Sequence, residues 1–228
     1  MFGFVSLVSC TTTSPPTSPV RHVGAMREVM WEGRLGAQVD LDTLAGRRGL
    51  YAVGPLTQLA GEITVVDGDV YVSRVTSDTT MSVERKRGVG APFLVYAEQT
   101  DWAKTTLPAD VTDLKSLEAF VDERSADAPR PFVFLLKGTI DSALIHVQNL
   151  PPGTRVRSPK DGHRGQVKYP LGKHEVTVVG FFSTEHQGVF THHDSYVHLH
   201  LLAADEAAMG HVDEIAFGVG EVELWMPG

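Results

Sequence analysis

Three histidines near the C-terminus have the types and spacing to do chemistry: His198 and His200 in Tyr196-Val-His-Leu-His-Leu-Leu, and His211 after the segment AADEAAMG. Side chains alternate along an extended strand, so His198 and His200 share one face and Leu199 takes the other. A returning strand that starts at His211 brings a third imidazole to the same face. Three neutral imidazoles with an open position are how catalytic zinc is held, leaving room for water or substrate. Nickel, iron or manganese accept similar ligands, so the donor set alone does not fix the metal. A lone histidine is more often an ordinary half-buried strand residue; a same-face pair with a third one hairpin away favours an ion. Nine of the ten histidines lie at or beyond His146, which places the chemistry in the C-terminal half. His186, His192 and His193, in STEHQGVFTHHDSY, precede the metal strand and are read as solvated loop residues near the mouth of a pocket.

The elements that must position these residues are mostly short strands. From Met26 onward the chain alternates densely between apolar and polar residues, broken by Gly and Asp turns. Leu41 to Arg48 reads as a short helix ended by Gly49. Gly61 to Val75 reads as a hairpin about Asp67-Gly68, a dipeptide suited to primed turns because both central residues take positive φ. Pro92 to Ala97 is a further strand, and Asp113 to Glu123 is a helix with apolar residues at Leu114, Leu117, Phe120 and Val121. Phe132 to Leu136 and Asp141 to Val147 read as two paired strands about Gly138. The long polar stretch that follows, up to His174, reads as a covering loop. Glu175 to Ser183 looks like a strand buried on both faces, and Tyr196 to Ala203 is its neighbour. The expected class is a β-rich α+β fold with mixed, curled or barrel-like sheets and a few short helices.

Composition narrows the partners. With 228 residues, 42% hydrophobic and 21% charged, the chain has ordinary globular character and enough length for a sizeable core. A net charge of -8 gives no basic footprint for nucleic acid, so nucleic acid is excluded as a partner. Leu7-Val8-Ser9-Cys10, followed by TTTSPPTSP, resembles a bacterial lipobox and tether. That reading makes residues 1–25 an export signal and disordered tether, with Cys10 lipidated and the domain held at a bacterial membrane by that anchor alone. Without a signal there, the protein is cytoplasmic. The oligomeric state, monomer or homodimer, stays open.

Several segments together carry a family likeness. They are Gly49-Leu50-Tyr51-Ala52-Val53-Gly54, Leu59-Ala60-Gly61-Glu62 ahead of the Asp67-Gly68 hairpin, Lys137-Gly138-Thr139-Ile140, Val179 to Glu185, and Tyr196 through His198 and His200 to Gly210-His211. From about Met26 to the end the chain resembles the acetolactate decarboxylase family. The resemblance implies one domain over residues 26–228, with an N-terminal half (26–125) and a metal-bearing C-terminal half (126–228). It implies zinc, or another divalent metal, on His198, His200 and His211, and a carboxylate from Glu62 reaching in from the first half. The implied reaction turns 2-acetolactate, a small 2-hydroxy-3-keto acid, into acetoin and carbon dioxide, with Glu62 giving or relaying the proton.

Two departures qualify that likeness. The family arginine that meets the substrate carboxylate falls, by counting from Gly138-Thr139-Ile140, at His146, which lacks the guanidinium's two-pronged fork. The family's C-terminal glutamate has no counterpart before Gly228. A non-catalytic or altered-substrate metal-binding member is therefore the alternative. A cupin-like oxygenase ranks last, because Glu206 lies one or two positions too far from the histidine pair and the Pro-x-Gly-x-x-His partner is missing.

Overall fold

The computed structural model describes residues 20–228. Cys10 and most of the expected tether lie outside the described residues. The first part of the chain gives β1 (Arg21–Val23), α1 (Met26–Glu32), β2 (Val39–Asp40), β3 (Leu50–Pro55), β4 (Glu62–Val66), β5 (Asp69–Val75), β6 (Met81–Arg85), β7 (Gly90–Ala91) and β8 (Leu94–Glu98). The rest gives β9 (Trp102–Thr106), α2 (Leu114–Arg124), β10 (Phe132–Val147), α3 (Pro159–Gly162), β11 (Val167–Leu171), β12 (His174–Phe182), β13 (Val197–Ala203) and β14 (Met209–Pro227).

These strands form two six-stranded sheets, ordered β1-β8-β3-β4-β5-β6 and β11-β10-β12-β13-β14-β9, with β2 and β7 paired separately. β10 also pairs with β14, so β10, β12, β13 and β14 close into a ring. The β-rich α+β class with barrel-like closure is what the molecule has. All of these strand pairings run antiparallel. The Asp67-Gly68 hairpin forms as its turn chemistry requires, with φ of 50° and 90° at the two residues. Helix α2 forms with Asp113 as its cap, its side chain and that of Ser116 exchanging hydrogen bonds with each other's backbone N–H.

Several sequence expectations change. Residues 132–147 are one continuous strand rather than a hairpin, because Gly138 (φ 141°) and two nearby register shifts bend β10 without reversing it. Order begins before residue 26: Arg21–Val23 pairs with Leu94–Tyr96 as β1, and Met26 opens a helix rather than a strand. The Leu41–Arg48 helix shrinks to a single 3-10 turn at Leu41–Thr43, started by the Asp40 carboxylate and stopped before Gly46 at φ 76°. The polar stretch after Val147 contains α3 and the edge strand β11, which pairs with β10. By sheet membership the changeover between halves falls between β8 and β9, near residue 100 rather than 125, and α2 packs Leu117 and Val121 into the second half's core.

One core fills the second sheet and another the first. A third joins them: Tyr51, Val53, Val95 and Ala97 from β3 and β8 pack on Val133, Leu135, Val179 and Phe181 from β10 and β12. That contact brings β4, which carries Glu62 at its start, against β13 and β14. No helix among the described residues is long and apolar enough to cross a membrane.

Candidate metal centre

The period of a strand does the first part of the assembly. Along β13 the residues Val197, Leu199 and Leu201 enter the second core, which turns His198 and His200 to the opposite face. The chain reverses after Ala203 and re-enters as β14, where His211 lies directly across from His200. On its other side His211 lies across from His146 of β10. His200, His211 and His146 therefore stand in a row over three adjacent strands, and His198 sits one step along.

The expected triad comes together. One candidate ligand atom from each of His198, His200 and His211 lies within 4.8 Å of the others, and all three side chains are buried. Nitrogens around a tetrahedral ion at about 2.1 Å sit roughly 3.4 Å apart, so modest ring rotations complete the set. The donors also fit an ion chemically. Nδ1 of His198 is buried with no hydrogen-bond partner, a costly condition that a bound cation relieves. Nδ1 of His200 meets Thr64 Oγ1 at 3.1 Å, which fixes that ring and leaves its other nitrogen for a ligand. Burial, then the neighbouring His192 and His146, pushes His198 down to about 3, against a backbone hydrogen bond to Phe190. Burial likewise holds His200 and His211 well below the usual imidazole range. All three are thus neutral at physiological pH, the form that binds metal.

Glu62 is placed by the tight strand entry at Gly61, where a Cβ would lie 2.2 Å from the Ser73 carbonyl oxygen. The residue is 2% exposed. Oε1 accepts a hydrogen bond from the Gln148 backbone N–H at 3.1 Å, and Oε2 lies 3.8 Å from His200 Nε2. Burial raises its carboxyl well above the ordinary carboxylate range, the Gln148 hydrogen bond opposes this, and the Asp213 charge adds to it. His146 is also buried, and its Nδ1 lies 2.7 Å from Asp213 Oδ1. Asp213 in turn meets Lys168 Nζ at 2.9 Å. Burial pushes the Asp213 carboxyl up, but His146 and Lys168 together outweigh it, leaving the group below its usual value.

Glu62, His146 and the three triad histidines open on one cleft enclosing roughly 400 Å³, with Met26, Met30, Pro55 and Phe93 as its apolar wall. The sequence reading missed several of its members. His192 is not solvated: its Nε2 lies 3.1 Å from His211 Nε2, whereas His193 beside it has an 87% exposed side chain. His186 is half-buried against His22 and Phe190, away from the triad. His163, at the end of α3, also lines the cleft and is lowered by burial. Asp213 had a usable signal, since His211-Val-Asp213 repeats the i, i+2 spacing of His198 and His200. Thr64 and Gln148 had none, because their partners are 136 and 86 residues away.

A search of curated proteins finds no match to the chain. Among solved structures, the chain is similar to alpha-acetolactate decarboxylase from Bacillus subtilis strain 168, with TM-score 0.76 and 18% identity over 92% of this chain and 86% of that one. It is also similar to a Staphylococcus aureus protein described as of unknown function and similar to that enzyme, with TM-score 0.74 and 20% identity over 91% and 84% of the two chains. At these identities the likeness is one of fold. The family model described as alpha-acetolactate decarboxylase matches residues 24–226, which is nearly the whole of the described chain, and on that match the protein belongs to the alpha-acetolactate decarboxylase family.

Proposed function

We propose that this protein decarboxylates 2-acetolactate to acetoin, using a zinc ion, or another divalent metal, held by His198, His200 and His211. One observation carries the reading: a buried, partnerless His198 nitrogen and two further neutral imidazoles face the same small cleft as a Glu62 carboxyl that burial holds well above the ordinary carboxylate range. A divalent cation there would draw electron density from the hydroxyl and ketone oxygens and stabilise the charge that builds up as carbon dioxide leaves.

The protein's own groups do the rest. His146, steadied from behind by Asp213, faces the cleft where it can meet the substrate carboxylate. The wall of Met26, Met30 and Phe93 keeps water out, and it suits a carboxylate that loses its charge on becoming carbon dioxide. The bond from that carboxylate to the tertiary carbon breaks, its electron pair stays on the carbon side, and Glu62 gives the proton that completes acetoin.

The test is carbon dioxide and acetoin release from racemic acetolactate with zinc added, alongside metal content. Glu62→Gln keeps the hydrogen-bond acceptor for Gln148 but has no acidic proton. It is expected to retain metal and lose about 10²- to 10⁴-fold in kcat. An unchanged rate would reduce Glu62 to a structural part. His198→Ala is expected to lose the metal, and equal zinc in both proteins would remove the site. A metal-holding binder without turnover is the second reading. It draws on the histidine that stands at position 146, and wild-type protein that binds zinc yet releases no product would select it.

A further inference from the structure

We propose that His192 supplies a fourth imidazole to the ion held by His198, His200 and His211, closing the site at rest and leaving it when a chelating substrate arrives. The proposal rests on the metal reading above and adds a residue to it.

His192 lies on the segment between β12 and β13, and that segment is strapped across the site at three points. At its start Ser183 Oγ and His186 Nδ1 share a hydrogen bond at 2.8 Å. In its middle Val189 and Gly188 carbonyls accept from the Met26 and Arg27 N–H groups of α1 at 2.8 and 3.0 Å. At its end Glu118 of α2 accepts from the Tyr196 N–H at 2.9 Å and from the Ser195 hydroxyl. Held this way, His192 puts Nε2 3.1 Å from Nε2 of His211, and its ring centroid lies 5.0 Å from that of His211.

Two imidazole nitrogens at that separation are either joined by a hydrogen bond or are adjacent corners of one coordination sphere. Corners of a tetrahedron with metal–nitrogen bonds of about 2.1 Å are roughly 3.4 Å apart, a few tenths of an ångström from what is seen. The strap therefore holds a fourth imidazole beside His211 at close to the right spacing, outside the mutual reach of the three triad nitrogens, so that a swing of the His192 side chain completes the set. Room for departure is present too. A second cavity, enclosing about 660 Å³, shares these two residues with the first and is lined by Leu114, Asp194 and Ser195 as well as His192 and His211. A neutral imidazole leaving the sphere is replaced by two oxygens of a hydroxy-keto acid, so only dative bonds are exchanged. Four nitrogens hold the ion between turnovers; three admit substrate.

The experiment titrates metal-free wild type, His192→Ala, His192→Gln and His193→Ala with cobalt(II), a coloured stand-in for zinc, in competition with a chelator. Visible bands report coordination, and no turnover is needed. His192→Ala is expected to bind at least about tenfold more weakly, the floor of what losing even an outer partner costs. Its bands should move, and His193→Ala should match wild type. Wild-type affinity and bands in His192→Ala overturn the proposal while the triad stands. Wild-type values in His192→Gln would assign His192 to a hydrogen bond and overturn ligation. If a His198→Ala control titrated alongside also keeps its cobalt, the fault lies in the metal reading beneath.

Discussion

His146 stands where a guanidinium would be expected, yet it is not an isolated replacement. Its Nδ1 is backed by Asp213, and Lys168 flanks that carboxylate. An arginine at 146 would find the same carboxylate waiting and could add a two-pronged contact to the substrate. His146→Arg is expected to raise kcat/KM for acetolactate by about tenfold, the worth of one charge-assisted hydrogen bond. Unchanged kcat/KM would mean that position 146 does not meet the carboxylate. At this scale the triad was legible because its geometry is local: period two along one strand and a single reversal to the next. His192 was not legible, because its role depends on where a strap of 14 or so residues crosses, which α1 and α2 decide from distant parts of the chain.

Among the elements, β10 explains why the reading of Gly138 went wrong. Glycine inside an apolar run marks a reversal or a bulge with the same sequence signal, and only the partner strand chooses. Here β12 and β14 both pair across Gly138, so the strand continues with a bend. A Cβ at Gly138 would lie 2.1 Å from the Glu221 carbonyl oxygen, and φ is 141°. Gly138→Ala is thus expected to destabilise the fold by roughly 2 kcal/mol or more, read as a lower urea midpoint with an unchanged slope. A wild-type midpoint would mean that β10 and β14 separate there at no cost. The Asp67-Gly68 turn and the Asp113 cap, by contrast, were legible because each is decided within four residues.

For the molecule as a whole, the contact between sheets governs stability, and Tyr51 reports on it. Its hydroxyl is pushed up to about 12, first by burial and then by the Asp67 carboxylate. An unfolded tyrosine releases its proton near 10, so the folded state holds that proton longer. Stability is fully present below about pH 10 and is lost as pH rises toward 12, by on the order of 2 kcal/mol. Tyr51→Phe should flatten that part of the curve of denaturation midpoint against pH; an unaltered slope would place the alkaline loss elsewhere. Which sheet each strand joins was beyond the sequence, since pairing over tens of residues leaves no local trace. The ring of β10, β12, β13 and β14 has one more consequence. Each strand that carries a histidine of the site, β10, β13 and β14, has neighbours on both sides, and the sheets' unpaired edges fall to β1, β6, β9 and β11. Stripping an ion held there with a chelator would therefore take a partner from the imidazoles but none from their backbones. The apoprotein is expected to keep its shape and to be reloadable.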